Sequence, residues 1–167
     1  TRKALVEMMF AEGNHVCPAC EKSGECDLQH MGYELGISSI RFPHLFKDRV
    51  IDYKPSRIVM EHNRCIKCLR CVVDVLTNDG KRVFNYQDRG NETFVGVDYT
   101  QEARLSDEEV LRAMKICPTG AIIVRGVSLS EPFGERKFDH STASVNKTTH
   151  PIKELQNSKP REKKRIA

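Results

Sequence analysis

Helical and extended periodicities alternate along this chain, and the breaks between them fall at glycines, prolines and cysteines. From Arg2 to Ala11 the pattern predicts a short helix with Leu5, Met8 and Met9 on or near one face, and Gly13 stands where glycine commonly ends a helix. Leu28, Met31 and Leu35 recur at i, i+3 and i+7, which predicts a second short helix over Asp27–Leu35, closed by Gly36. Residues 37–59 read as extended chain with a short strand or two, broken by Pro43 and Pro55. Strands and turns are predicted from Val83 to Tyr99, with Gly80 and Gly90 as breakers. Ser106-Asp-Glu-Glu109 is a capping box: the serine hydroxyl accepts from the third helical amide and Glu109 reaches back. The helix it opens should run to about Ile116, and a short strand should follow over Ala121–Val127. Beyond about Asp139 periodicity vanishes into Ser, Thr, Asn, Lys and Pro, the composition of an extended or disordered tail.

This mixture of short helices and strands predicts an α+β fold. The 167 residues bound it to one or two small domains, and 39% hydrophobic residues leave room for only a modest core. Cores of this size often need a metal or a disulfide as a staple. No run of about 18 apolar residues occurs, so no membrane insertion is expected. No signal peptide is visible, which makes the cytoplasm the expected compartment, although a start at Thr1 says little. The formal net charge of +4 is unevenly placed, since residues 147–167 alone carry +5 and the body is close to −1. A nucleic-acid binder should carry a basic face on its fold, and this body has no such excess.

The seven cysteines carry the chemistry. Their number is odd and their spacing is Cys-x2-Cys, which favours metal over a disulfide framework. Cys65-Ile-Lys-Cys68-Leu-Arg-Cys71 can wrap three corners of a [4Fe–4S] cube, and Cys117-Pro118, after a helix, suits the remote fourth corner. A two-cluster ferredoxin would carry another cysteine where Val75 stands, and a partner triplet where Ala113, Met114 and Lys115 stand. One cube is therefore expected in this segment. Structural zinc is the competing reading, but three cysteines at this spacing crowd a single ion. In the first group, Cys17, Cys20 and Cys26 leave one position for a non-cysteine ligand. His15 is the candidate, with Asp27 or water as alternatives and a Cys3His zinc knuckle as the competing metal site. A neutral imidazole in place of a thiolate should raise the cluster potential, as in Rieske centres. Arg64, Lys67 and Arg70 read as charges around the second cluster or as solvent-facing. His30, His44, His62, His140 and His150 lack ligand-type company.

The run Phe10-Ala-Glu-Gly-Asn-His-Val-Cys-Pro-Ala-Cys-Glu-Lys-Ser-Gly-Glu-Cys-Asp-Leu-Gln29 resembles the small iron–sulfur subunit of the diaphorase module in soluble NAD-reducing nickel–iron hydrogenases. Arg2-Lys-Ala-Leu-Val-Glu7, Arg41-Phe-Pro43, Arg64-Cys65, Ile116-Cys-Pro118 and Pro132-Phe-Gly-Glu-Arg-Lys137 extend the resemblance to roughly Arg2–Phe138. The large iron–sulfur subunit of respiratory complex I is a broader relative. There the histidine stands four residues before the first cysteine, at the position of Gly13 here. The resemblance implies an electron relay with two [4Fe–4S] clusters, linking a flavin- and NAD-binding diaphorase subunit to the hydrogenase small and large subunits. The family normally begins with a plant-ferredoxin-like domain holding a [2Fe–2S] cluster, and by the resemblance this sequence corresponds to the remainder, with that domain absent or lost ahead of Thr1. The chain has no Gly-x-Gly-x-x-Gly and no nickel ligand set, so no NAD, flavin or nickel should bind here. The expected organisation is a His/Cys3 cluster lobe over 1–56, a ferredoxin-like lobe with a single [4Fe–4S] cluster over 57–138 and a basic tail over 139–167. Alternative readings are the relay of a complex I-like or formate dehydrogenase-type oxidoreductase, and a zinc-dependent binding module.

Overall fold

The computed structural model describes residues 1–136 and Asp139, so the rest of the expected tail lies outside the described residues. Helices α1 (Arg2–Glu12) and α2 (Asp27–Glu34) pack on each other and flank the first cysteine group. The next segment holds β1 (Ile51–Asp52), β2 (Ile58–Glu61), α3 (Arg70–Asp74), β3 (Phe84–Gln87), β4 (Phe94–Val97), α4 (Tyr99–Glu102), α5 (Asp107–Ile116) and β5 (Ile122–Val124). One antiparallel sheet runs β1-β2-β5, with Val59 opposite Ile123, and β3 pairs with β4 in a second. Strand β1 precedes Ser56 yet hydrogen-bonds to β2, so residues 51–52 share the sheet of the following segment. All of β2 is buried, and α5 lies against β5.

The capping box forms as its sequence dictates: Ser106 Oγ accepts from the Glu109 amide, and Glu109 accepts from the Ser106 amide at 2.7 Å. Gly36 ends α2 in the left-handed region at φ 60°. Ile37 N–H donates to Gly32 O and Gly36 N–H to Tyr33 O, a Schellman motif. Gly13 behaves differently from the sequence expectation. It does cap α1, donating its amide to Met9 O, but its backbone is extended (φ −96°, ψ 154°), so the left-handed freedom of glycine is not what the position uses. Helix α1 also turns its expected apolar face outward: Leu5, Met8 and Met9 are exposed, whereas Val6, Glu7 and Ala11 are buried. The buried Glu7 carboxylate is matched by the Arg41 guanidinium at 2.7 and 2.9 Å.

The core joins Ile58, Met60, Val83, Phe84, Val95 and Val110, with Cys71 and Cys117 at its edge. Val75 and Ala113, where a two-cluster ferredoxin would place ligands of a second cube, are part of this apolar core. Glu102 is fully buried at the end of α4 and closes the loop that enters β2. Its carboxylate accepts from the Ser56, Arg57 and Ile58 amides and from Ser56 Oγ, at 2.8–3.1 Å. Glu102→Ala orphans these donors and should lower unfolding free energy by about 3 kcal/mol, which urea titration would measure.

Candidate iron–sulfur centres

The first cysteine group is built from tight turns. Cys17–Ala19 form one 3-10 turn with Pro18 inside it, and the Cys20 amide donates back to Cys17 O at 3.2 Å. The chain turns again when Ser23 N–H donates to Cys20 O, and Cys26 then caps the start of α2. His15, Cys17, Cys20 and Cys26 all line one cavity, closed by Phe10, Leu28 and Arg64. Burial is the main reason the Cys26 thiol is pushed up to about 11, against the pull of the Gln29 and Leu28 amides at the helix N-terminus.

His15 is held as a neutral imidazole. Burial, with Arg64 and Arg49 adding repulsion, lowers its pKa to about 4. The ring hydrogen-bonds the Met9 carbonyl, and Nε2 is buried without a partner. A proton on Nδ1, favoured by the Met9 carbonyl, would leave the Nε2 lone pair available, as in a ligating imidazole. A Cβ built on Gly13 would lie 2.4 Å from His15 Nε2 and 2.8 Å from Asn63 O. The imidazole thus occupies the space where a side chain at position 13 would begin. This explains the glycine. Asp27 does not line the cavity; its carboxylate is exposed and meets Arg70 at 3.1 Å.

The second group curls around its own centre. Lys67 and Leu69 take left-handed φ values of 55° and 64°, which fold the Cys65–Cys71 loop back on itself. The Lys67 amide favours the Cys65 thiolate, Cys68 is the exposed member, and Cys71 lies in the first turn of α3. Cys117 caps the C-terminus of α5 and is buried. Burial, and then the neighbouring Cys117, Cys65 and Cys68 thiolates, push Cys71 up to about 12. A metal centre binds the thiolate form, so loading this site would have to displace the protons that burial holds on Cys65 and Cys71. Among the described residues no three His, Cys, Asp or Glu side chains converge on a single-ion position.

The two groups meet across Cys117-Pro-Thr-Gly120, every residue of which is buried. The Asp27 amide donates to Pro118 O at 2.9 Å, and Cys26 Sγ lies 3.5 Å from the same oxygen. Thr119 Oγ1 donates to Arg64 O at 2.7 Å, next to Cys65. Arg64 itself points to the first group, where it reaches Glu21 and the Gly120 carbonyl; the sequence placed it beside the second. A Cβ on Gly120 would lie 2.5 Å from Cys20 Sγ. Gly120→Ala should therefore displace Cys20 and make the first centre labile while sparing the second, seen as partial iron loss on chelator challenge. Behind the first loop, Leu129 and Glu131 amides donate to Glu21 and Ser23 carbonyls, and buried Arg136 closes the strap. The sequence reading missed Lys22, Gly120 and Arg136 as site residues. The glycine three residues after Cys117 was the available signal, because a glycine beside a ligand marks close approach.

Residues 2–41 match the family model described as the NADH-ubiquinone oxidoreductase-G iron–sulfur binding region. Residues 56–123 match that of the NADH-quinone oxidoreductase subunit 3 ferredoxin-like domain. The chain is 43% identical over 139 residues to the NAD-reducing hydrogenase HoxS subunit gamma of Cupriavidus necator, covering 83% of this chain and 59% of that protein. It is 30% identical to the mitochondrial NADH-ubiquinone oxidoreductase 78 kDa subunit of Candida albicans, over 72% of this chain and 17% of that one. A crystal structure of an NAD+-reducing [NiFe]-hydrogenase in the H2-reduced state superposes with a TM-score of 0.72 and 36% identity, covering 83% of this chain and 60% of that chain. This chain thus spans about three fifths of the hydrogenase subunit and a smaller part of the oxidoreductase subunit. Both cysteine groups fall within the matched regions, and the chain belongs to the family of iron–sulfur subunits shared by NAD-reducing hydrogenases and NADH-quinone oxidoreductases.

Proposed function

We infer that this chain is an electron-transfer subunit that holds two [4Fe–4S] clusters and relays electrons between a hydrogenase module and a flavin- and NAD-binding diaphorase module in the cytoplasm. His15, Cys17, Cys20 and Cys26 would hold the first cluster, and Cys65, Cys68, Cys71 and Cys117 the second. The clusters would supply one-electron transfer. The chain's residues would hold them in two lobes, over about 1–56 and 57–138, and exclude water between them. The observation that carries this reading is the contact between the two groups: Gly120, three residues from Cys117, has no room for a side chain because Cys20 Sγ is there. Two centres this closely joined suit a relay. The catalysis would belong to partner subunits, the diaphorase subunit and the hydrogenase small and large subunits.

A second reading, a relay within an NADH-quinone oxidoreductase, is favoured by the Candida albicans match. Among the described residues no helix is long and apolar enough to cross a membrane. Iron, acid-labile sulfide and zinc analysis of the purified chain tests the cluster assignment. About eight iron and eight sulfide per chain are expected for two cubes. Stoichiometric zinc without sulfide would overturn it. Loss of H2-dependent NAD reduction in a hydrogenase complex carrying a cluster-deficient variant would favour the hydrogenase relay, and retention would exclude it.

A further inference from the structure

Lys22 sits in the first cysteine loop, between Cys20 and Cys26, yet only 3% of it is exposed. Its ammonium reaches out of that loop to the end of α5. It donates to Met114 O and Lys115 O at 3.0 Å each and to Cys117 O. An ammonium has three N–H donors, and these carbonyls take all of them. The carbonyls also form the negative end of the helix that presents Cys117.

Hydrogen bonding accounts for the donors but leaves the charge unmatched. Among the described residues no carboxylate stands within ion-pair distance of Lys22. A buried cation needs opposing charge or strong dipoles, because desolvation is costly. Carbonyl dipoles supply part of this. Thiolate-ligated clusters carry net negative charge and would supply the rest, with one on the loop that bears Lys22 and the other on the residue it grips. Exposed cations elsewhere, such as Lys81 paired with Asp79, lack this placement.

We propose that Lys22 is a buried counter-charge shared by the two cluster sites, a positioning residue that ties the first cysteine loop to Cys117 and raises the midpoint potential of both centres. This rests on the two-cluster reading above. A fixed positive charge stabilises the reduced, more negative cluster over the oxidised one, so its removal must move both midpoints down.

The test is a redox titration of the full chain, followed by electron paramagnetic resonance, with iron content measured alongside. Lys22→Met keeps the length of the side chain and removes the charge, and both midpoints should fall. Lys22→Arg should keep them near those of the unsubstituted chain, and Lys81→Met, which removes an exposed charge, should leave them unchanged. Lys22→Met with full iron and unmoved midpoints overturns the proposal. If Lys22→Met loses iron, Lys22→Gln and Lys22→Arg decide. A lower potential or iron loss in Gln with retention in Arg supports the counter-charge. Unmoved midpoints in Gln, or equal loss in Gln and Arg, overturn it. An unsubstituted chain with fewer than two clusters would instead sink the underlying reading, and the proposal with it.

Discussion

Cys68→Ala should abolish the second cluster, remove about half the iron and lower the melting temperature on the order of 10 °C. The site makes this a clean experiment because Cys68 is the exposed member of its group. Truncating an exposed side chain away from special features normally changes stability by less than ~0.5 kcal/mol, so a large loss reports the cluster and not packing. The loss should spread. Cys71 and Cys117 border the apolar core of Val72, Val75 and Ala113, and α3 packs on α5 through this region. A cluster bound by both cysteines ties those helices together, and metal binding of this kind supplies folding free energy directly. Without it, Cys71 and Cys117 are left as buried thiols at the edge of the core. Full iron content with an unchanged melting curve would remove Cys68 from the ligand set.

His15→Ala should leave one iron of the first cluster without a protein ligand and give a labile, three-iron-type centre by electron paramagnetic resonance. His15→Cys should keep the cluster and lower its potential, since a fourth thiolate adds negative charge. The close approach of the imidazole to position 13 adds a sharper expectation. Because His15 Nε2 lies 2.4 Å from where a Cβ on Gly13 would stand, Gly13→His combined with His15→Ala should return an imidazole to the same cavity. Gly13 has an extended backbone that any residue can adopt, and His15→Ala clears the imidazole, so the remaining cost is a shift of the Asn63 carbonyl, 2.8 Å from the new Cβ. The double variant should recover the four-iron signal that His15→Ala loses. An unaltered spectrum in His15→Ala would take His15 off the ligand list.

What the sequence disclosed, and what it hid, follows from the range of each interaction. Local devices were legible: the Ser106 capping box, the Gly36 terminus and the cysteine spacings each act within a few residues. The short helices α3 and α4 were not, because four or five residues are too few to show a period and their positions depend on tertiary contacts. The outward face of α1 was misread for a related reason. Glu7 is buried only because Arg41, 34 residues away, neutralises it, and no local pattern announces that pair. Within the candidate site, the cysteines were visible from spacing alone, while Lys22 and Arg64 act across 43 to 95 residues of sequence and Gly120 approaches a cysteine still farther away, Cys20. The glycine at 13 was seen and assigned to the wrong cause. It does cap the helix, but with an extended backbone open to any residue, and what requires glycine there is the close approach of His15.

The central claim is that one chain holds two adjacent clusters joined through the Cys117–Gly120 segment. The most direct measurement is a stepwise redox titration of the purified full-length chain, monitored by low-temperature electron paramagnetic resonance. Two distinct reduced-cluster signals are predicted, and the first to appear should broaden as the second centre is reduced, because neighbouring paramagnets couple. A single signal of one cluster per chain, or two signals that ignore each other's redox state, would contradict the account.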